Sequence, residues 1–320
     1  MTRQNTRSIR VRDITLRLAF MDTFVSTDVK VALANRIVHS GIPAIELSSF
    51  VSAEYVPGLA DAELVFAKVD RVPGVSYECC VASMRGLRRA IDAGVDTAWF
   101  LFGASDFLNE RNIGRNMAGA LDLVAELASV ADSARLKFGS YLIGSFGDPW
   151  SGPRGIPTTA SFFATLKDRG AGSVIVADSF GFASPRSTVD LLECAASVFE
   201  IDDVNLQVHD SRGMGIANAH SALAAGFQNV DASLAGSGSH PAMGELQVGG
   251  ISTEDLVQYA QLEGLAENID LSELIAAAND MAALRPDLAR GFVRHVGAVP
   301  RKAEDATSRV PDFSWPLDPH

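Results

Sequence analysis

The sequence predicts a single (β/α)8 barrel, and three observations predict it. Short apolar, β-branched runs recur eight times along the chain. Longer amphipathic stretches separate them, which is the rhythm of βαβ units feeding a parallel sheet. Ionisable residues gather at the ends of the runs, where a barrel of this class places its reactive groups. At 320 residues, 47% hydrophobic and 21% charged, the chain has the size and composition of one such domain.

The expected strands are IRVRDITLR at 9–17, AIELS at 44–48, SYECCV at 76–81, TAWFLFG at 97–103, KFGSYLI at 137–143, SVIVADS at 173–179, VNLQVHD at 204–210 and NVDASLAG at 229–236. Helical patterns lie between them at 26–40, 112–130, 156–169, 184–199 and 215–226, several opened by Ser, Thr or Pro. Two more, near 253–262 and 270–284, follow the eighth strand and cover the exterior or a mouth. The barrel domain is expected over 1–300, and 301–320 reads as a polar, Pro-rich extended tail with Phe313 and Trp315 as anchors.

Charge narrows the partners. A net charge of -12 and a pI near 4.9 argue against nucleic acid and anionic membrane, since neither is attracted to such a surface. A small anionic substrate then requires a local basic pocket. The arginines of MTRQNTRSIRVR have no apolar stretch behind them, so no signal peptide or membrane anchor is expected and the expected compartment is the cytoplasm. Cys79, Cys80 and Cys194 form no CxxC pair, which suits a reducing interior and marks no zinc site.

Four ionisable residues on separate strands are expected at one mouth: Arg17 ending the first, Glu46 on the second, Asp178 ending the sixth and His209 ending the seventh. Each alone reads equally as a loop-anchoring ion pair, whereas together they read as a catalytic set. Gln207 and His209 share a strand face, and two histidines at that spacing would hold a divalent ion; the glutamine raises the question whether this site does. Gln207, Tyr141, Ser179 and Arg212 are expected to bind substrate. The glycine-rich AGSGSHPAMGELQVGG at 235–250 reads as a closing lid, with His240 either a proton carrier or a solvated loop histidine. Cys79 and Cys80 read as small core residues, and His39, His220 and His295 as structural or exposed. Trp150, in the loop GSFGDPWSG, lines a pocket or caps a helix.

From about Asp13 to Leu284 the sequence resembles 3-hydroxy-3-methylglutaryl-CoA lyase, of the DRE-TIM metallolyase (pyruvate carboxyltransferase-like) group. The resemblance is carried by VSTDVKVALANRIVHSGIPAIELSSFVS (25–52), FGASDFLNERNIGRN (102–116), ADSFGFASP (177–185), HDSRGMGIAN (209–218) and GISTEDLV (250–257). It implies cleavage of a carbon–carbon bond beside a tertiary alcohol, with a divalent ion holding the substrate oxygens. Arg17, Glu46 and Asp178 match the family's catalytic arginine, second-strand glutamate and sixth-strand aspartate, and His209 matches the second histidine of its metal pair. Leu18, Gln207 and Gly250 stand where the family has its aspartate, first histidine and loop asparagine. His240 stands where it has the loop cysteine. Of four metal ligands only His209 is retained.

A hard divalent ion takes about six oxygen or nitrogen ligands, so no metal is expected in the family position and no cofactor is expected; Mg²⁺ or Mn²⁺ at a relocated site is the alternative. Without an ion, Arg212 and Arg17 are expected to grip a substrate carboxylate, with His240 exchanging a proton. The expected function is a carbon–carbon lyase acting on a small hydroxy or keto acid or its acyl thioester. The alternatives are a non-catalytic relative binding acyl-CoA or a partner, and a metal-dependent 3-hydroxy-3-methylglutaryl-CoA lyase with a relocated ion. Acyl-CoA as ligand follows from the resemblance alone, and a homo-oligomer is expected.

Overall fold

The computed structural model describes residues 8–238 and 248–300. Eight parallel strands close a barrel: β1 (Arg10–Asp13), β2 (Ala44–Phe50), β3 (Ser76–Val81), β4 (Thr97–Gly103), β5 (Lys137–Ile143), β6 (Ser173–Asp178), β7 (Val204–Val208) and β8 (Asn229–Ala232). They neighbour one another in sequence order, and β1 pairs with both β2 and β8 to complete the ring. The expected (β/α)8 barrel is thus the fold. The tail at 301–320 and His240 lie outside the described residues.

The helices form because their apolar residues recur every three or four positions and so share one face. In α2 (Thr27–His39) Leu33, Ile37 and Val38 are buried; in α6 (Met117–Ser133) the buried face is Leu123, Val124, Leu127 and Ala131. These faces pack on the outward side of the strands in one continuous apolar core. Side-chain caps fix several starts: Ser83 accepts from the Gly86 N–H, Ser105 from Leu108, and Asn116 from Gly119.

The elements depart from expectation where local polar chemistry ends a ladder. The first strand stops at Asp13 rather than Arg17, because the Asp13 carboxylate accepts the Thr15 N–H at 3.0 Å and turns the chain into α1 (Thr15–Ala19). Arg17 therefore projects from a short helix, not from a strand end. The eighth strand stops at Ala232, and a tight turn over Leu234–Gly236 follows. The helix expected over 112–130 is two: α5 (Asp106–Ile113) ends at Gly114, whose φ of +67° is a left-handed stop, and α6 restarts behind the Asn116 cap. Helices at Ala62–Lys68 and Met84–Asp92 complete the early βα units.

Alternation puts one side of every strand inside the barrel, and here that side is strongly polar. Arg12 lies fully buried among Asp231, Glu46, Glu78, Trp99 and Tyr141. Its Nε donates to Asp231 at 2.8 Å and its Nη2 to the same carboxylate at 2.5 Å, a two-pronged contact. Nη1 reaches both Glu46 and Glu78 at 3.2 Å, and the guanidinium lies 5.1 Å from the Trp99 ring. A small cluster of Cys80, Trp99, Tyr141, Ile175 and Ala177 packs beside it, with Trp99 and Tyr141 against the guanidinium.

Removing one charge from such a network strands the others in a medium that cannot solvate them. Arg12→Met is therefore expected to cost about 3–5 kcal/mol of folding stability. The midpoint of urea unfolding followed by circular dichroism measures it; a midpoint equal to that of the wild type would mean Arg12 does not balance these carboxylates.

Candidate active site

The candidate site is a cavity of about 610 Å³ at the C-terminal ends of the strands, lined by Arg17, Leu18, Ser49, Ser83, Arg111, Tyr141, Ser179, Gln207 and His209 among others. Each polar group is placed by a local feature of the chain. Arg17 sits one turn into α1, whose start is held by Asp13: Thr253 donates to Asp13 at 2.6 Å, and Thr15 accepts the Leu234 N–H at 2.7 Å. The end of α1 is held by Arg285, which donates to the Ala19 carbonyl at 2.7 Å and to Asp22 at 2.6 Å. Burial pushes the Asp13 carboxyl up to about 6.

Glu46 is buried beneath the cavity floor. Its carboxylate accepts from Arg17 Nε in a very short contact, from Arg12 Nη1 at 3.2 Å and from the Cys80 thiol at 3.1 Å. A register shift on β2 between Glu46 and Ser48 displaces the residues beyond it by one against β3. Burial opposes ionisation of Glu46, but Arg17 and Arg12 outweigh it and hold the carboxyl below its usual range. Arg17 stays cationic for the reciprocal reason. Glu46 thus fixes the Arg17 guanidinium toward the cavity.

Gln207 and His209 come up β7 on one side, as the alternation required. Gln207 is 4% exposed, lines the cavity, and its Nε2 has no hydrogen-bond partner among the described residues. His209 is 3% exposed, and its Nδ1 lies 2.6 Å from the Val248 carbonyl. A carbonyl only accepts, so Nδ1 carries the proton and Nε2 the lone pair. Burial lowers the His209 pKa to about 4, and Arg17 adds to that, so the ring is neutral at pH 7.

The other expected residues are distributed unevenly. Tyr141 and Ser179 line the cavity. Asp178 does not: its carboxylate accepts the N–H groups of Phe182 at 2.7 Å and Ala183 at 3.0 Å, which shapes the loop after β6, and burial pushes it up to about 6. Nor does Arg212, an exposed residue that donates to the Phe180 carbonyl and lies over the Phe182 ring at 5.0 Å. Trp150 packs at a tilt against Phe107 and edge-on against Phe180, which lines the cavity. Sequence reasoning missed Arg12, Glu78 and Asp231; the available signal was charge at alternate positions within short, otherwise apolar strands.

Among Leu18, Gln207, His209 and Gly250, the positions that the resemblance assigns to metal ligands, His209 is the one histidine, cysteine or carboxylate. Leu18 offers no donor and packs so closely on Gly238 that a Cβ there would lie 2.9 Å from the Leu18 Cβ. Gly250 has no side chain, and Glu46 is committed to two guanidiniums. Among the described residues no three His, Cys, Asp or Glu converge as a metal group.

The glycine-rich segment is anchored at both ends. A Cβ on Gly249 would lie 1.9 Å from the Gly236 carbonyl, so the two limbs meet backbone to backbone. Ala235, left-handed at φ +54°, is held by its N–H to Glu254 at 3.1 Å and its carbonyl to the Arg290 N–H at 2.6 Å. Burial pushes Glu254 up to about 7.

Residues 9–281 match the family model HMGL-like. The chain is 30% identical to the hydroxymethylglutaryl-CoA lyase YngG of Bacillus subtilis, over 80% of this chain and 85% of that protein. It is 29% identical to the mitochondrial hydroxymethylglutaryl-CoA lyase of Gallus gallus, over 78% of this chain and 84% of that protein. Among solved structures, an HMG-CoA lyase from Acinetobacter baumannii in complex with coenzyme A and 3-methylmalate superposes with a TM-score of 0.87 at 26% identity, covering 93% of this chain and 97% of that one. Among the described residues, no helix is long and apolar enough to cross a membrane.

The folded pKa of Glu254, about 7, lies above the 4.5 of a free glutamate side chain, so its contribution is fully present below pH 4.5 and is lost as pH rises through 7. Glu254→Gln cannot ionise, so its Tm should fall less than that of the wild type between pH 5 and 8. Parallel Tm–pH curves in scanning calorimetry would mean that Glu254 does not titrate there.

Proposed function

The chain belongs to the HMGL-like family, and from that premise we propose that it is a carbon–carbon lyase cleaving a small anionic β-hydroxy acid or its acyl thioester by a retro-aldol step, with no divalent ion at the family position. The observation that carries this reading is the buried Gln207 amide, a donor without a partner among the described residues, beside Arg17 and the His209 ring at one cavity. A buried unsatisfied donor is costly, and a substrate oxygen offsets that cost. A thioester substrate is supported by the hydroxymethylglutaryl-CoA lyases to which the chain is similar. The solved relative with coenzyme A and 3-methylmalate adds a small hydroxy acid and the CoA carrier.

The residues divide the chemistry as follows. Arg17 and Gln207 hold the substrate's carboxylate or thioester oxygen. His209 Nε2 accepts the proton of the β-hydroxyl; the C–C bond breaks, the hydroxyl carbon becomes a carbonyl, and the electron pair moves onto the enolate oxygen of the other fragment. Arg17 and Gln207 face the charge as it develops, which is where fixed donors lower a barrier. An anionic substrate against His209 raises its proton affinity from the low value of the empty site. Glu46 acts through Arg17 and is a positioning residue.

Wild-type protein treated with EDTA is expected to retain turnover in a screen of 3-hydroxy-3-methylglutaryl-CoA and related hydroxy acids and thioesters. Arg17→Gln should lower kcat by about 10²–10³-fold. Because the base is neutral above about pH 4, kcat/KM should rise through that pH and stay flat from 6 to 8. Turnover abolished by EDTA and restored by Mg²⁺ or Mn²⁺ would instead assign a relocated ion.

A further inference from the structure

Retro-aldol cleavage leaves an enolate that must gain a proton at carbon, and we propose that Tyr141 delivers it; this rests on the lyase reading above. Tyr141 is on β5, with β6 between it and the His209 strand, and both residues line the same cavity. Base and acid thus stand on different walls of one chamber.

The phenol is held in an unusual way. Its oxygen accepts from Arg12 Nη2 at 2.5 Å and from Arg17 Nη2 at 3.2 Å. Both guanidiniums also lie 5.5 Å from its ring. Among the described residues its own proton has only the Glu46 oxygens, at 3.2 and 3.4 Å, against roughly 2.5–2.7 Å for a strong hydroxyl-to-carboxylate bond. Those oxygens already serve Arg17, Arg12 and Cys80. Two guanidiniums donate to the oxygen while its proton is held weakly, so the charge that donation leaves on the oxygen lies directly against Arg12 and Arg17. Burial keeps the resting phenol protonated against the pull of Arg12 and Arg17. A thioester or carboxylic enolate is a far stronger base than a phenolate, so transfer to carbon runs downhill.

The step balances without an added reagent. The substrate O–H proton goes to His209 Nε2, the C–C electron pair forms the enolate, and the enolate carbon takes the Tyr141 proton as the phenolic O–H bond breaks. After product release the His209 proton returns through solvent to the phenolate. Arg12, which touches the phenol but does not line the cavity, is a positioning residue.

The test is Tyr141→Phe in the full chain, with 3-hydroxy-3-methylglutaryl-CoA as probe. We expect kcat to fall by about 10²–10⁴-fold with KM little changed, the solvent isotope effect on kcat to rise, and the residual rate to increase with the concentration of an acidic buffer such as imidazolium. Circular dichroism and the unfolding midpoint check that the variant folds. A wild type that turns over alongside an unimpaired Tyr141→Phe overturns the Tyr141 assignment alone. So does a loss confined to KM, a residual rate indifferent to buffer acid, or the buffer-rescue signature appearing in His240→Ala instead. A wild type that neither cleaves nor binds the probe or the screened hydroxy acids overturns the lyase reading and this assignment with it.

Discussion

The Arg12 guanidinium, sealed inside the barrel with one face to Trp99 and its donors on Asp231, Glu46, Glu78 and Tyr141, is the contact on which the rest of the molecule is arranged. A barrel of this size is ordinarily filled by branched apolar side chains in layers. Here part of that volume is charged, and it is tolerable because the positive and negative groups sit within hydrogen-bonding distance of one another. Arg10 closes the account at the lower end by donating to Glu78 at 3.0 Å, and Trp99 donates to the same carboxylate at 2.6 Å. Substitutions within this set are coupled, because the cost of each depends on which partners remain.

The network continues into the cavity without a break. Glu46 is shared between Arg12 below and Arg17 above, and Tyr141 touches both guanidiniums, so the orientation of the cavity cation is set by the packing of the core. The positive charge here is covalently part of the chain, buried, and unable to titrate in the physiological range. Its direction is fixed before any substrate arrives.

How much of this was legible follows from what each level of structure demands. The strands could be read because their outward faces must be apolar to receive helices, and three of the eight, at 76–81, 97–103 and 137–143, have the expected bounds. The cavity positions of Gln207 and His209 followed from alternation alone. The end of the first strand was hidden because Ile14, Thr15 and Leu16 have strand-like chemistry, and only the Asp13 carboxylate capturing the Thr15 N–H ends the ladder. Arg212 was misleading for a related reason: sequence proximity to His209 placed it at the mouth, but nothing local revealed that the Phe180 carbonyl would claim its guanidinium. Arg12 was invisible because a charge inside a strand looks like a solvent-facing residue until the ring closes around it.

The glycine contact between Gly236 and Gly249 joins the two limbs of the segment after β8 at a fixed point above the barrel, with Ala235 held by Glu254 and the Arg290 backbone on one side and Val248 by His209 on the other. Two attachment points with a set separation make a socket. The histidine tautomer depends on that socket, because the Val248 carbonyl that holds the His209 Nδ1 proton sits on the same limb as Gly249.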